Sequence, residues 1–291
     1  MTLSAKIKLQ IARVRLKTNR SVSSSALGAR QINRSGVGFE FDQLREYQQG
    51  DDVRFIDWKG SARSGKILTK QFFAERNQRV TIALDISASS FIGHKFEWMA
   101  ELAAIFTLVA HSCRDQVGLV LFADQIDLHL PAAANSWQSQ LILEQIFSCS
   151  DFYQSRPNRQ TNLKQVLSQM GQTLPKRNLI FLISDLIDQA DFAPELKLLR
   201  QRHDVIAVRW LDQFERNLPE VGFLPVQDPE SGAWGVLDLR NLKDSNHFLD
   251  LRVQEQDRLL RRCGVDLLQI CDPERAIGEI VRFFQKRLVA R

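Results

Sequence analysis

The chain has 291 residues, of which 44% are hydrophobic and 25% charged, with a formal net charge of +5. That balance supports one sizeable buried core with an appendage, or two domains, and excludes wholesale disorder. The longest uncharged stretches, such as LAAIFTLVAHSC (102–113), are too short for a bilayer, and the basic start lacks an apolar h-region, so the sequence reads as cytoplasmic. Cys113, Cys149, Cys263 and Cys271 lack metal-type spacing and are expected to be buried free thiols in a reducing compartment.

In chain order, residues 1–35 read as a basic leader and linker. Residues 1–39 carry eight Lys or Arg and no acid, which leaves the remainder net acidic. Such an arm could touch RNA, anionic lipid or an acidic protein. No aromatic precedes Phe39, so contact with nucleic acid would be with phosphate alone. Its Ile, Val and Leu could instead lie on a membrane surface.

Residues 36–78 place turn residues between short alternating runs without a helical face, which predicts a small β-rich extension. Within it, GSARSGKI (60–67) fits a phosphate-binding loop except at Ile67. A Ser or Thr there would ligate the nucleotide's magnesium, and the following ILTKQFF alternates like a strand where a helix should start.

From residue 79 strands and helices alternate. RVTIALD (79–85) and QVGLVLFA (116–123) read as buried strands flanking a helix over 94–113, and QIDLHL (125–130) as a hairpin partner. A helix near 136–147 leads to a polar loop over 150–160. Then come the helix TNLKQVLSQMGQTL, the strand RNLIFLISD, the helix FAPELKLLRQR and the strand HDVIAVRW. EVGFLP and PESGAW mark an inserted hairpin or loop near 215–240, and a helix, a strand and a helix close the chain. The predicted fold is α/β, a mainly parallel sheet with helices on both faces over 79–291, plus the N-terminal β-rich extension.

Three oxygen-bearing side chains, Asp85, Ser87 and Ser89, follow the first strand with period two. Ligands in open parallel sheets sit outside the carboxyl ends of strands. Asp185 closes another strand, and Thr161 lies in the loop before a helix. Two carboxylates and three hydroxyls form a hard-oxygen set suited to a divalent cation that keeps an open position. The alternative is turn chemistry: Ser87 and Ser89 capping the next turn, and Asp185 the helix after it.

This pattern resembles the von Willebrand factor A domain, in which the matching residues form a metal-ion-dependent adhesion site. The resemblance implies that Ser87, Ser89 and Thr161 are hydroxyl ligands, with Asp85 and Asp185 acting directly or through water. Ser90 stands where that family often has methionine. The implied ion is Mg²⁺ or Mn²⁺, with Ca²⁺ ranked behind them.

GFEFDQLREYQQGDDVRFIDWKGSARSGKILTKQFFAER (38–76) further resembles the signature of bacterial domain-of-unknown-function family 58, through Arg45, Tyr47, Gly50, Asp51, Asp52, Arg54, Asp57, Trp58, Ser61, Ala62 and Arg63. That resemblance implies a partnership with a MoxR-type AAA+ ATPase. Physically, Arg54 would neutralise Asp51 or Asp57, with Trp58 filling a core junction. Alternatively, Arg45, Tyr47, Asp51, Asp52, Arg54, Asp57, Trp58 and Arg63 form a partner-binding surface.

The leading expectation is a non-enzymatic module in which the metal accepts an Asp or Glu from a partner, the ATPase or its client, in chaperone-like or assembly work. A metal-dependent hydrolase is the alternative, with His94 or His111 as base. The sequence offers no G-x-S-x-G elbow to support it.

Overall fold

A computed structural model of the protein describes residues 35–36, 40–48, 53–73, 78–135, 137–155, 159–188, 190–210, 222–230, 232–238, 242–272 and 275–289. Asp51, Asp52 and nearly all of the basic leader lie outside them, as does the side chain of Arg54. The chain divides into two compact units, Ala29–Asn77 and a larger one that contains Gln78–Arg291.

The smaller unit is a three-stranded antiparallel sheet in the order β1–β3–β2, from β1 (Ser35–Gly36), β2 (Glu40–Glu46) and β3 (Leu68–Phe73). A short helix, α1 (Trp58–Ser64), stands between β2 and β3 and buries none of its residues, so it has no apolar stripe by which the sequence could announce it. Gly65 ends it at φ 71°, donating to the Ser61 carbonyl. The residues that mimic a phosphate loop are thus a helix and its cap, and Lys66 is paired with Glu46. Trp58 is 69% exposed, so it does not fill a core junction. As the first residue of a helix with no buried face, it points away from packing.

The larger unit holds a six-stranded sheet in the order β11–β8–β7–β4–β5–β6. Its strands are β4 (Arg79–Asp85), β5 (Gln116–Phe122), β6 (Ile126–Ala133), β7 (Asn178–Ile183), β8 (Asp204–Trp210) and β11 (Asp266–Ile270). All neighbours are parallel except β6, which runs antiparallel to β5 at one edge. Alternation along β4 feeds two cores. Val80, Ile82 and Leu84 face α2 (Lys95–Ser112), α3 (Gln138–Ser155) and α7 (Ala276–Val289). Ala83 faces the other core, built with α4 (Leu163–Thr173), α5 (Ala193–Arg202) and α6 (Leu242–Arg262). Strands buried on both faces by helices explain the near-continuous apolar runs in the sequence.

Helix α3 continues through Ser155, where the sequence reading expected a polar loop from 150. No Gly or Pro interrupts it before Pro157, and its polar residues occupy a helix end rather than a loop. β9 (Phe223–Gln227) and β10 (Trp234–Asp238) form an antiparallel hairpin, one face of which exposes Phe223, Val236 and Trp234. None of the four cysteines is in a disulfide; Cys149 and Cys263 are buried as expected, whereas Cys271 is half-buried and Cys113 is exposed, because it caps the end of α2. Among the described residues no helix is long and apolar enough to cross a membrane.

The β5–β6 pair depends on Gly118. A Cβ there would come within 2.7 Å of the Leu130 carbonyl oxygen and 2.8 Å of the Ala132 nitrogen, backbone atoms that cannot swing aside, beside a register shift between Val117 and Leu119. Gly118→Ala is expected to destabilise the protein by about 1–3 kcal/mol, read as a lower midpoint in urea denaturation.

Candidate metal-binding site

In the larger unit β4 lies between β5 and β7. The chain fills one side of the sheet after β4 and the other after β7, so the strand order reverses between these two strands. The loops leaving β4 and β7 therefore flank a topological switch point, where a crevice opens beyond the strand ends. Asp85 ends β4, and Asp185 lies two residues past β7.

Backbone hydrogen bonds tie the contributing loops together. The Ile86 N–H continues the ladder to the Phe122 carbonyl at 2.7 Å, and the Ala88 N–H donates to the Arg159 carbonyl at 2.9 Å. The Asn162 N–H donates to the Ala123 carbonyl at 3.1 Å, and the Asp188 carboxylate accepts the Leu163 N–H at 2.6 Å. The guanidinium of Arg159 is itself clamped by Asp124 and Asp127. Thr161 is thereby held against the two carboxylate loops before α4 begins.

Both acids use one oxygen for their own turn. Asp85 Oδ1 accepts the Ser87 N–H at 2.8 Å, and Asp185 Oδ1 accepts the Ile187 N–H at 3.1 Å. Leu186, buried between Asp185 and Ile187, takes a left-handed φ of 62°. That conformation costs an ordinary residue about 1–2 kcal/mol and sits where strain at a functional loop is expected. The second oxygens are used differently. Asp85 Oδ2 accepts the Ser184 hydroxyl at 2.6 Å, whereas Asp185 Oδ2 receives the Lys95 ammonium at 2.7 Å and the Ser89 hydroxyl at 3.4 Å. Ser87 Oγ lies 3.1 Å from Ser89 Oγ and 3.4 Å from Ser90 Oγ. Thr161 donates its hydroxyl to Glu230 Oε1 at 3.1 Å.

Local turn chemistry thus accounts for only part of the cluster. Ser87 precedes the 3₁₀ turn Ala88–Phe91 without a side-chain cap bond. Asp185 does not cap the next helix either; the Ala193 N–H at the start of α5 is met by Asp191.

The electrostatics favour a cation. Asp85 is fully buried, and burial, then the neighbouring Asp185 charge, pushes its carboxyl up to about 6. Asp85 and Asp185 would carry two formal negative charges against the Lys95 ammonium, which leaves the pair net negative before Glu230 is counted. Glu230 is half-buried, and burial raises its carboxyl above the ordinary range, while hydrogen bonds from Thr161 and Ser89 pull the other way. Among the described residues no three His, Cys, Asp or Glu side chains cluster closely enough to hold an ion by themselves. An ion held here would need the hydroxyls as well, and Asp85, Ser87, Ser89, Thr161 and Asp185 would make a mixed oxygen set of the kind a hard ion accepts.

Of the five residues expected as metal ligands, Asp85, Ser87, Ser89 and Asp185 are joined by direct hydrogen bonds, and Thr161 is linked to them through Glu230. Lys95, Ser184 and Glu230 were not anticipated, and each lies in sequence far from the partner it touches at this site. The signature residues Arg45, Tyr47, Asp57, Trp58 and Arg63 belong to the smaller unit, where they are partly or largely exposed. His94 is exposed and pairs with Glu97 at 3.2 Å. His111 lies in the last turn of α2, roughly 24 Å along the helix from Lys95 at 1.5 Å per residue.

The strand order, the antiparallel edge strand and the loops at the switch point define a von Willebrand factor A-like α/β fold. The chain belongs to the family described as protein of unknown function DUF58, whose profile matches residues 43–254. It is 26% identical over 258 residues to uncharacterized proteins of Mycobacterium tuberculosis and Mycobacterium bovis, an alignment covering 87% of this chain and 80% of each relative. Among solved structures it is similar to the conserved hypothetical protein BatB from Bacteroides thetaiotaomicron, with a TM-score of 0.45, 14% identity, and coverage of 72% of this chain and 98% of that one. A von Willebrand factor type A protein from Catenulispora acidiphila aligns with a TM-score of 0.42 and 14% identity over 74% of this chain and 43% of that one.

The Lys95–Asp185 pair, with side chains 3% and 6% exposed, gives this site a direct test. Removing one member of a buried pair leaves an uncompensated charge, at a cost of about 3–5 kcal/mol. Lys95→Met is expected to lower stability by that amount in chelator, measured by urea denaturation, and added Mg²⁺ is expected to narrow the gap.

Proposed function

We propose that the protein is a non-enzymatic, metal-ion-dependent protein-interaction module. The observation that carries this reading is the pair of buried carboxylates, Asp85 and Asp185, at neighbouring strand ends, accompanied by the hydroxyls of Ser87, Ser89 and Thr161 and the ammonium of Lys95. Asp85, Ser87, Ser89, Thr161 and Asp185 would hold Mg²⁺ or Mn²⁺, with Ca²⁺ ranked behind because it prefers more ligands than this set provides. With few direct carboxylates the bound ion would stay electron-poor and take an Asp or Glu side chain from another protein.

The chain's residues supply orientation rather than chemistry. Ser184 aims the Asp85 carboxylate, the turn at Leu186 presents Asp185, and Asp188 anchors the helix that follows Thr161. No histidine approaches the cluster among the contacts of the described residues, which favours binding over hydrolysis. The partner in this reading is a MoxR-type AAA+ ATPase or its client, as the resemblance of residues 38–76 implies. Unbridged cysteines suit work in the cytoplasm.

Calorimetric titration of Mg²⁺ and Mn²⁺ into chelator-treated protein is expected to show saturable binding near one ion per chain, lost in Asp85→Ala. Capture of a purified MoxR-type ATPase is expected in Mg²⁺ and not in chelator. Absence of ion binding by the wild-type protein, with or without that ATPase, would remove the metal reading.

A further inference from the structure

Glu230 occupies an unusual place for a residue of a hairpin turn. The β9–β10 connection is built by its own hydrogen bonds. The Asp228 N–H donates to the Ala233 carbonyl at 2.9 Å, and the Gly232 N–H donates to the Asp228 carbonyl at 2.8 Å. Asp228 Oδ1 accepts the Glu230 N–H at 3.0 Å, and Gln227 Nε2 donates to the Gly232 carbonyl at 3.1 Å. Gly232 takes a φ of 72°, which suits a residue without a Cβ. The turn therefore presents the Glu230 side chain with little left to order. That side chain reaches back across 69 positions to accept the Thr161 hydroxyl, and it also interacts with Ser89. Those are two of the three hydroxyls assigned above to the ion.

The geometry points to Glu230 as an internal carboxylate that occupies the place a partner's acidic side chain takes, so that seating of the hairpin and binding of an acidic partner exclude one another. The inference rests on the metal-dependent reading above and adds its regulation. A carboxylate belongs to the hydroxyl-lined side of the cluster on charge grounds only if a cation is nearby, because Asp85 and Asp185 already repel it. Lys95 supplies part of that positive charge, at Asp185. The Thr161 hydroxyl donates to Glu230, which satisfies it without an ion, and a bound ion would strengthen the attraction.

The arrangement has a quantitative consequence. A tethered group acts at an effective concentration of about millimolar, and a competitor's apparent affinity falls by the fraction of sites left open. A free carboxylate must displace Glu230, whereas a partner that also engages the hairpin is relieved of that competition. The charge-conserving alternative, that Glu230 is a permanent ligand of the ion, makes the opposite prediction for its removal.

The test uses the full chain loaded with Mn²⁺ and a small probe, the peptide acetyl-Gly-Glu-Gly-amide, followed by the water-proton relaxation of bound Mn²⁺. Relaxation falls as a carboxylate displaces coordinated water. Glu230→Ala is expected to tighten probe binding by about tenfold or more, with Mn²⁺ affinity held within a few-fold. Glu230→Gln keeps the turn and removes the charge, and it should act in the same direction. Unchanged probe binding in both variants, with normal Mn²⁺ binding, would overturn the inference and leave the metal site standing. Loss of Mn²⁺ affinity without tighter probe binding would overturn it in favour of a fixed ligand. Failure of wild type and variants alike to bind Mn²⁺ would take down the metal reading and this inference together.

Discussion

Two like charges buried side by side are the constraint around which the larger unit is arranged. Asp85 ends β4 and Asp185 follows β7 by two residues; both are almost wholly removed from water, and the Asp185 charge adds to the burial that raises the Asp85 carboxyl. Burial of a lone carboxylate is tolerated only where donors or a cation compensate it. Each acid accordingly takes a backbone N–H with one oxygen, and a hydroxyl or an ammonium with the other. The negative potential that remains is the physical ground for proposing a divalent ion there.

The rest of the architecture serves to hold this edge still. Strands β4 and β7 are fixed by parallel ladders and by apolar packing on both faces. They cannot slide without moving their whole inward-facing sets to the wrong side. The loops beyond them are short and are cross-bonded by Ile86, Ala88, Asn162 and Leu163. Among the described residues Leu186, Arg114 and Arg177 take left-handed backbone without being glycine, and of these Leu186 lies within the cluster.

Lys95 and Glu230 give the site a second layer of charge. The ammonium lies at Asp185 and the carboxylate at Thr161, so the cluster is bracketed by one internal cation and one internal anion. On the proposed reading, the ammonium and the carboxylate stand in for the ion and for a partner's acid. Exchange of these internal groups for external ones would couple the two ligands through shared contacts, which is the physical content of linkage.

The period of the apolar residues and the punctuation between them made most of the larger unit legible: short apolar runs for the buried strands, helical spacing for α2, and D-x-S-x-S at a strand end for the cluster. Those features are local, set by side-chain direction within a few residues. What local pattern could not carry was any pairing across the fold. The short helix α1 buries nothing and so leaves no stripe, and Trp58 at its start is exposed where packing was expected. The end of α3 is polar, so its helical backbone is not betrayed by composition. Lys95 looks in sequence like any surface lysine opening a helix, and Glu230 like any acid in a turn. Only the tertiary structure brings them within 2.7 Å of Asp185 and 3.1 Å of Thr161. The sequence by itself determined which oxygens collect at the strand ends. The folded chain decided which charges answer them, because that depends on distances between residues 69 to 90 positions apart, which no local periodicity encodes.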